Sequence, residues 1–164
     1  MLYLWWVNER AVLPVDLRGR VSGVLVTVSV STLDDEQARL FEPVAPKPLD
    51  RIAVLEEFRE QGMMAGIAYM PLLPYISDTP DMLEAMVKTA RDQGVDYVFF
   101  SHLTLDSGVK ERFYKVLEKH YPELIPKYNR LYKDKPYPDK TYRDRLYRII
   151  EKLCREYKVK QHIL

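Results

Sequence analysis

The stretch Val24-Leu25-Val26-Thr27-Val28-Ser29-Val30-Ser31 constrains this chain more than any other. Valine at every second position combines the two-residue period of a strand with β-branched side chains, which favour extended backbone. One face carries Val24, Val26, Val28 and Val30, and the other carries Leu25, Thr27, Ser29 and Ser31. In an antiparallel sheet the hydroxyl face would simply meet water. In a barrel the valines would pack under outer helices and the hydroxyls would point inward.

The segments C-terminal to this strand select between the two. Asp34–Phe41 reads as a short helix, and Pro43, Pro46 and Pro48 force an irregular connection after it. Leu49–Gln61 reads as a helix with Leu49, Ile52, Leu55 and Phe58 along one side and Gly62 as its stop. Ala65–Leu73 is a second strand, ended by Pro74. Thr79–Gln93 is a helix that Thr79 caps and Pro80 opens, with Met82, Met86, Val87 and Ala90 as its buried stripe and Gly94 closing it. Val95–Leu103 is a third apolar strand. Strand, helix, strand, helix, strand predicts an α/β fold with a parallel βαβαβ sheet over residues 24–108.

Beyond it, residues 109–164 predict a basic helical region: Val109–His120, Pro122–Tyr132, a proline-bearing linker, and the amphipathic Tyr142–Tyr157 with Leu146, Ile149, Ile150, Leu153 and Tyr157 on one stripe. Residues 1–23 are hard to place, although Leu2–Val7 and Ala11–Val15 could be short strands.

Composition narrows the chemistry. The single cysteine, Cys154, excludes a disulfide framework, a four-thiolate zinc site and a self-contained iron–sulfur site; on the apolar side of its helix it reads as a buried thiol. Apolar runs fall far short of the roughly 20 residues of a membrane-spanning helix, and Leu2–Val7 lacks the basic segment of a signal peptide. A soluble, cytoplasmic protein without a membrane partner is expected. From Lys110 onward there are 16 Lys/Arg against 8 Asp/Glu, whereas the earlier residues carry 9 against 16. Cations interleaved with Tyr114, Tyr121, Tyr128, Tyr132, Tyr137, Tyr142, Tyr147 and Tyr157 fit either a solvated helical surface or a nucleic-acid-binding module.

In parallel α/β folds ligands sit at the carboxyl ends of the strands. That end gathers Ser29, Ser31, Thr32 and Asp34 after the first strand, Pro71 with Ser77 and Asp78 after the second, and Ser101, His102 and Thr104 after the third. Such hydroxyls suit the ribose, carboxylate and amino groups of a small polar ligand. His102 is either a catalytic group or a histidine satisfied at a strand end. Asp34 is a ligand contact or a helix cap, and Asp78 a ligand contact or a turn carboxylate. Glu42 and Arg51 flank the proline-rich loop and can form either a bidentate pair that fixes it over a site or a surface ion pair.

Several of these segments resemble the radical S-adenosylmethionine (SAM) proteins related to spore photoproduct lyase. They are Val28-Ser29-Val30-Ser31-Thr32-Leu33-Asp34-Asp35-Glu36, then Leu40-Phe41-Glu42-Pro43-Val44-Ala45-Pro46, then Asp50-Arg51. Pro71-Leu72-Leu73-Pro74 with Asp78, Asp96-Tyr97-Val98-Phe99-Phe100, Val109-Lys110-Glu111-Arg112-Phe113 and Tyr121-Pro122-Glu123-Leu124 are similar to the family as well. The resemblance runs over about residues 24–157. It implies the fourth to sixth strands of a partial (β/α)₆, TIM-like barrel followed by C-terminal helices, with SAM held inside beside a [4Fe-4S] cluster.

The resemblance further implies that Ser29, Ser31 and Thr32 lie beside SAM, that Glu42 and Arg51 support that site, and that Pro71 lies near the adenosine. His102 joins them as a cofactor-site candidate. The family's Cys-x₃-Cys-x₂-Cys motif has no counterpart in this chain, and Tyr75 and Ser77 stand where the family carries Gly and Asn. The expectation is therefore the C-terminal half of such an enzyme, inactive alone and ligating no metal, in a family whose members include DNA-repair proteins. The unpaired edges of so small a sheet predict a homo-oligomer, or cover by Leu2–Val15 and the C-terminal helices.

Overall fold

The computed structural model describes residues 25–161. Three strands form one parallel sheet in chain order: β1 (Leu25–Val30), β2 (Met64–Leu72) and β3 (Tyr97–His102). Helices α1 (Asp35–Phe41) and α2 (Pro48–Glu60) link β1 to β2, and α3 (Pro80–Asp92) links β2 to β3. After β3 come α4 (Ser107–His120), a 3₁₀ turn (Pro122–Leu124), α5 (Ile125–Tyr132) and α6 (Lys140–Glu156). The α/β reading and the strand order agree with the sequence expectation. The predicted strands in residues 1–23 lie outside the described residues.

Local chemistry sets the boundaries. Asp34, Thr79, Asp106 and Asp139 each accept a backbone N–H of the following turn and start α1, α3, α4 and α6. Gly62 (φ 80°) and Gly94 (φ 59°) take the left-handed conformation that stops α2 and α3. Asp96 holds the start of β3 to β2, its carboxylate accepting the Ala65 N–H at 2.8 Å while its own N–H donates to the Ala65 carbonyl at 2.8 Å.

The valine face is the covered one. Val30, Ala65, Ile67, Tyr69 and Val98 pack against Ile52 and Leu55 of α2 and Leu83, Met86 and Val87 of α3, with Val26, Val28 and Phe100 at the margin. Leu146, Ile150 and Cys154 of α6 belong to the same core, so the end of the sheet is not a break in packing. Two helix stripes differ from expectation. Leu49 is 54% exposed and Pro48 is buried in its place, so the inner stripe runs through Pro48, Ile52 and Leu55 at i, i+4 and i+7. On α3, Leu83 is fully buried while Met82 is only half-buried. A second cluster, around Leu73, Leu103, Phe113, Leu117, Tyr128 and Tyr132, closes the carboxyl end of the sheet under α4 and α5.

The hydroxyl face follows a different logic. Register places Thr27, Gly66 and Tyr97 in one row and Ser29, Ala68 and Phe99 in the next. The Tyr97 ring lies flat across Gly66, and its hydroxyl shares a 2.6 Å hydrogen bond with the Thr27 hydroxyl. It is a crossbar from β3 to β1 over the one residue in β2 with no side chain. On the outer edge of β3, the Val98 N–H donates to the Lys160 carbonyl at 2.8 Å, so the segment after α6 covers part of that edge. No helix among the described residues is long and apolar enough to cross a membrane.

Candidate functional site

The carboxyl end of β1 is built around Arg51. The first turn of α2 carries this residue back onto the strand. Its Nη1 donates to the Ser29 carbonyl at 2.6 Å and its Nη2 to Glu42 Oε2 at 2.5 Å. The side chains are 11% and 8% exposed. This is neither alternative read from the sequence. The pair is buried rather than on the surface, and it is not bidentate, because the guanidinium divides its terminal nitrogens between a carboxylate and a strand carbonyl. Arg51 thus fastens the proline-rich loop and the strand end to the same helix.

Ser31 and Thr32 follow at once, and both are buried, at 2% and 0% exposure. Thr32 is consumed locally: its hydroxyl donates to Gln37 Oε1 at 2.9 Å and accepts the Asp34 N–H at 3.1 Å. Ser31 is not, since its Oγ has no hydrogen-bond partner, and neither has Arg51 Nε. A buried hydroxyl without a partner costs free energy unless something supplies one. Asp34 caps α1 through its Oδ1, which accepts the Gln37 N–H at 2.9 Å. Of the candidates, Ser29, Ser31, Thr32, Glu42 and Arg51 therefore share one neighbourhood.

His102 does not join them. Alternation along β3 puts it with Val98 and Phe100 on the helix-covered face, where its Nδ1 meets the Tyr147 hydroxyl of α6 at 3.3 Å. Burial, with the Arg143 charge, holds its imidazole below the ordinary range. It is the satisfied strand-end histidine of the two sequence readings. Pro71, joined by a cis peptide to Met70, sits where the β2–β3 register shifts between Tyr69 and Leu72. Cys154 is 2% exposed in the core, and burial pushes its thiol up to about 11.

A second constellation centres on Asp78, in the loop between β2 and α3. Its Oδ1 accepts the Tyr75 N–H at 2.7 Å, and its Oδ2 accepts the Tyr142 hydroxyl of α6. Ser77 braces the same loop, its Oγ accepting the Leu73 N–H at 3.0 Å while its carbonyl accepts the Tyr69 hydroxyl at 2.7 Å. Asp78 is thus a turn carboxylate, but one that also ties α6 to the sheet. Burial raises its carboxyl above the ordinary 3.8, and the hydrogen bonds from Tyr142 and Tyr75 partly oppose this.

A raised folded-state value means that the folded chain takes up this proton at higher pH than the unfolded chain does. The contribution to stability therefore falls as pH rises from 3.8 through the folded-state value. Urea unfolding of wild type and Asp78→Asn across mildly acid pH is expected to show wild type losing stability relative to the variant as pH rises. A constant difference between them would remove the titration from Asp78.

The tyrosines of the basic region divide. Tyr128 and Tyr132 are buried, with hydroxyls donating to the Pro74 and Leu103 carbonyls at 2.7 and 2.9 Å. Tyr137 stays exposed, as does Tyr75 of the β2–α3 loop outside that region. Tyr75 was not among the sequence candidates. Its signal is a positive φ of 64° in a non-glycine residue, at the position where the resembled family carries Gly.

No protein-family model matches the chain. It is similar to the uncharacterized protein ORF301 of Acidianus two-tailed virus, 37% identical over 79 residues, or 46% of this chain and 26% of the viral protein. It is also similar to uncharacterized proteins of Mycobacterium tuberculosis and Mycobacterium bovis, 28% identical over 136 residues, or 83% of this chain and 40% of each of those proteins. The chain thus spans less than half the length of these relatives.

Proposed function

We propose that this chain supplies one side of a radical SAM barrel resembling that of spore photoproduct lyase, and that the carboxyl end of β1 holds polar groups of SAM. The observation that carries the reading is the Ser31 hydroxyl, buried without a partner at a parallel strand end and accompanied by the unpartnered Arg51 Nε. Ligands of parallel α/β folds bind at that end of the sheet. The sheet supports the reading too, with helices packed on its valine face and hydroxyls on the opposite one. In the complete fold, further strands or a second copy of the chain would pair with the outer edge of β1.

Ser29 and Ser31 are the residues that would hold the ligand, while Arg51 and Glu42 are positioning residues that fix the strand end. SAM, when bound in an intact enzyme of this class, supplies the radical chemistry. The cluster that would feed it electrons is another matter. It takes several thiolates, and the one thiol here is locked in the α6 side of the core and held protonated by burial. These residues fit a SAM half-site and do not fit a cluster, so the chain alone binds without cleaving.

Isothermal titration with S-adenosylhomocysteine is expected to give saturable heat that Ser31→Ala weakens about three- to ten-fold, the worth of one hydrogen bond. Light scattering of the same sample tells whether a second copy completes the sheet. Absence of saturable heat at millimolar ligand would sink the proposal.

A further inference from the structure

We propose that this chain associates with a second copy of itself, the outer stripe of α2 in one protomer lying parallel to the outer stripe of α4 in the other. The contact is separate from the strand end assigned to SAM and from the outer edge of β1. On α2, Leu49, Ala53, Glu56 and Glu60 follow one another at i, i+4, i+7 and i+11, so they share one face, and all four are exposed. On α4, Gly108, Arg112, Lys115 and Lys119 repeat the same spacing and are exposed as well. Helices of 13 and 14 residues are each about 20 Å long, so the stripes match in length.

Aligned in parallel, each position of one stripe meets its complement on the other: Leu49 comes to Gly108, Ala53 to Arg112, Glu56 to Lys115 and Glu60 to Lys119. The charges are uncommitted within the chain. Other exposed charges pair along their own helices, Glu84 with Lys88 and Asp144 with Lys140. Among the described residues Glu56, Glu60, Arg112, Lys115 and Lys119 form no ion pair, although Glu111 and Glu118 lie within a turn of Lys115. Both cations of α2 are drawn inward, Arg51 to Glu42 and Arg59 to the Gln93 carbonyl, which leaves the outer face acidic.

Gly108 has no reason inside the chain. Its φ is not in the left-handed range, and a Cβ there would meet nothing within 4 Å. It leaves a bare first turn on which the Leu49 side chain, 54% exposed, can bury itself. A copy of the chain is the partner because it carries both signs. From Lys110 onward there are 16 Lys/Arg against 8 Asp/Glu, and before it 9 against 16, so each face finds its opposite on a second protomer.

The test is sedimentation equilibrium of the whole chain from about 10 µM to about 1 mM, the range in which a small polar contact is populated. Wild type should self-associate. Raising salt from about 0.1 to about 1 M, which shortens the screening length from about 10 to about 3 Å, should weaken association about fivefold or more. Glu56→Lys with Glu60→Lys, and separately Lys115→Glu with Lys119→Glu, should each lower self-affinity about tenfold or more, because two attractive pairs become repulsive. Mixed in equal amounts, the two variants should associate as wild type does, since each carries the charges the other needs. The milder Glu56→Gln with Glu60→Gln should weaken association about threefold and keeps the test open should a swap unfold. The proposal is overturned by a wild type that stays monomeric at about 1 mM and low salt, by association indifferent to salt, or by a mixture no tighter than its separate variants. Thermal melts of each variant separate a lost contact from lost folding.

Discussion

Arg51→Ala is expected to lower the unfolding free energy by about 3–5 kcal/mol, the range for breaking a buried ion pair from one side. The variant leaves the Glu42 carboxylate, 8% exposed, without its cation, and leaves the Ser29 carbonyl without the donor that reaches it from α2. Most of the loss is the cost of an uncompensated buried charge. Removing both partners with apolar groups, Arg51→Met with Glu42→Leu, should therefore recover much of it. Arg51→Lys should not, because one ammonium replaces two nitrogens that point to different elements. Urea unfolding of the four proteins decides: a loss in Arg51→Ala under about 1 kcal/mol would mean that the pair behaves like an exposed one.

The second large effect lies under the Tyr97 crossbar. A Cβ on Gly66 would meet Tyr97 Cε2, Cζ and Cδ2 at 2.2, 2.4 and 2.5 Å. The ring must leave its place, and the Thr27–Tyr97 hydrogen bond goes with it. Gly66→Ala is expected to cost about 2–4 kcal/mol by overpacking and by loss of that bond. In a Tyr97→Ala background the same substitution should cost far less, since the obstacle is gone, and the double-mutant cycle isolates this coupling. Additive losses would show that Gly66 is needed for some reason other than the ring.

These two sites mark the boundary of what could be read from the chain. Alternating valines disclosed β1, and Thr79-Pro80 disclosed the start of α3, because both signals are local and have a local cause. The Glu42–Arg51 partnership was legible because the two residues are only nine positions apart, though its burial and the share taken by Ser29 were not. His102 enters the cofactor-site candidates by its position at a strand end, whereas alternation from Val98 and Phe100 directs its side chain toward α6. The dependence of Gly66 on Tyr97, and the tie between Asp78 and Tyr142, join segments far apart in sequence. No period or spacing encodes them.

The placement of α6 carries a consequence for biosynthesis. Leu146, Ile150 and Cys154 complete the core on the α3 side of the sheet, and Lys160 supplies a carbonyl to the edge of β3. A nascent chain that has already released all three strands from the ribosome still shows an uncovered greasy flank until residues 140–160 emerge. In that interval the exposed apolar flank is open to non-native association.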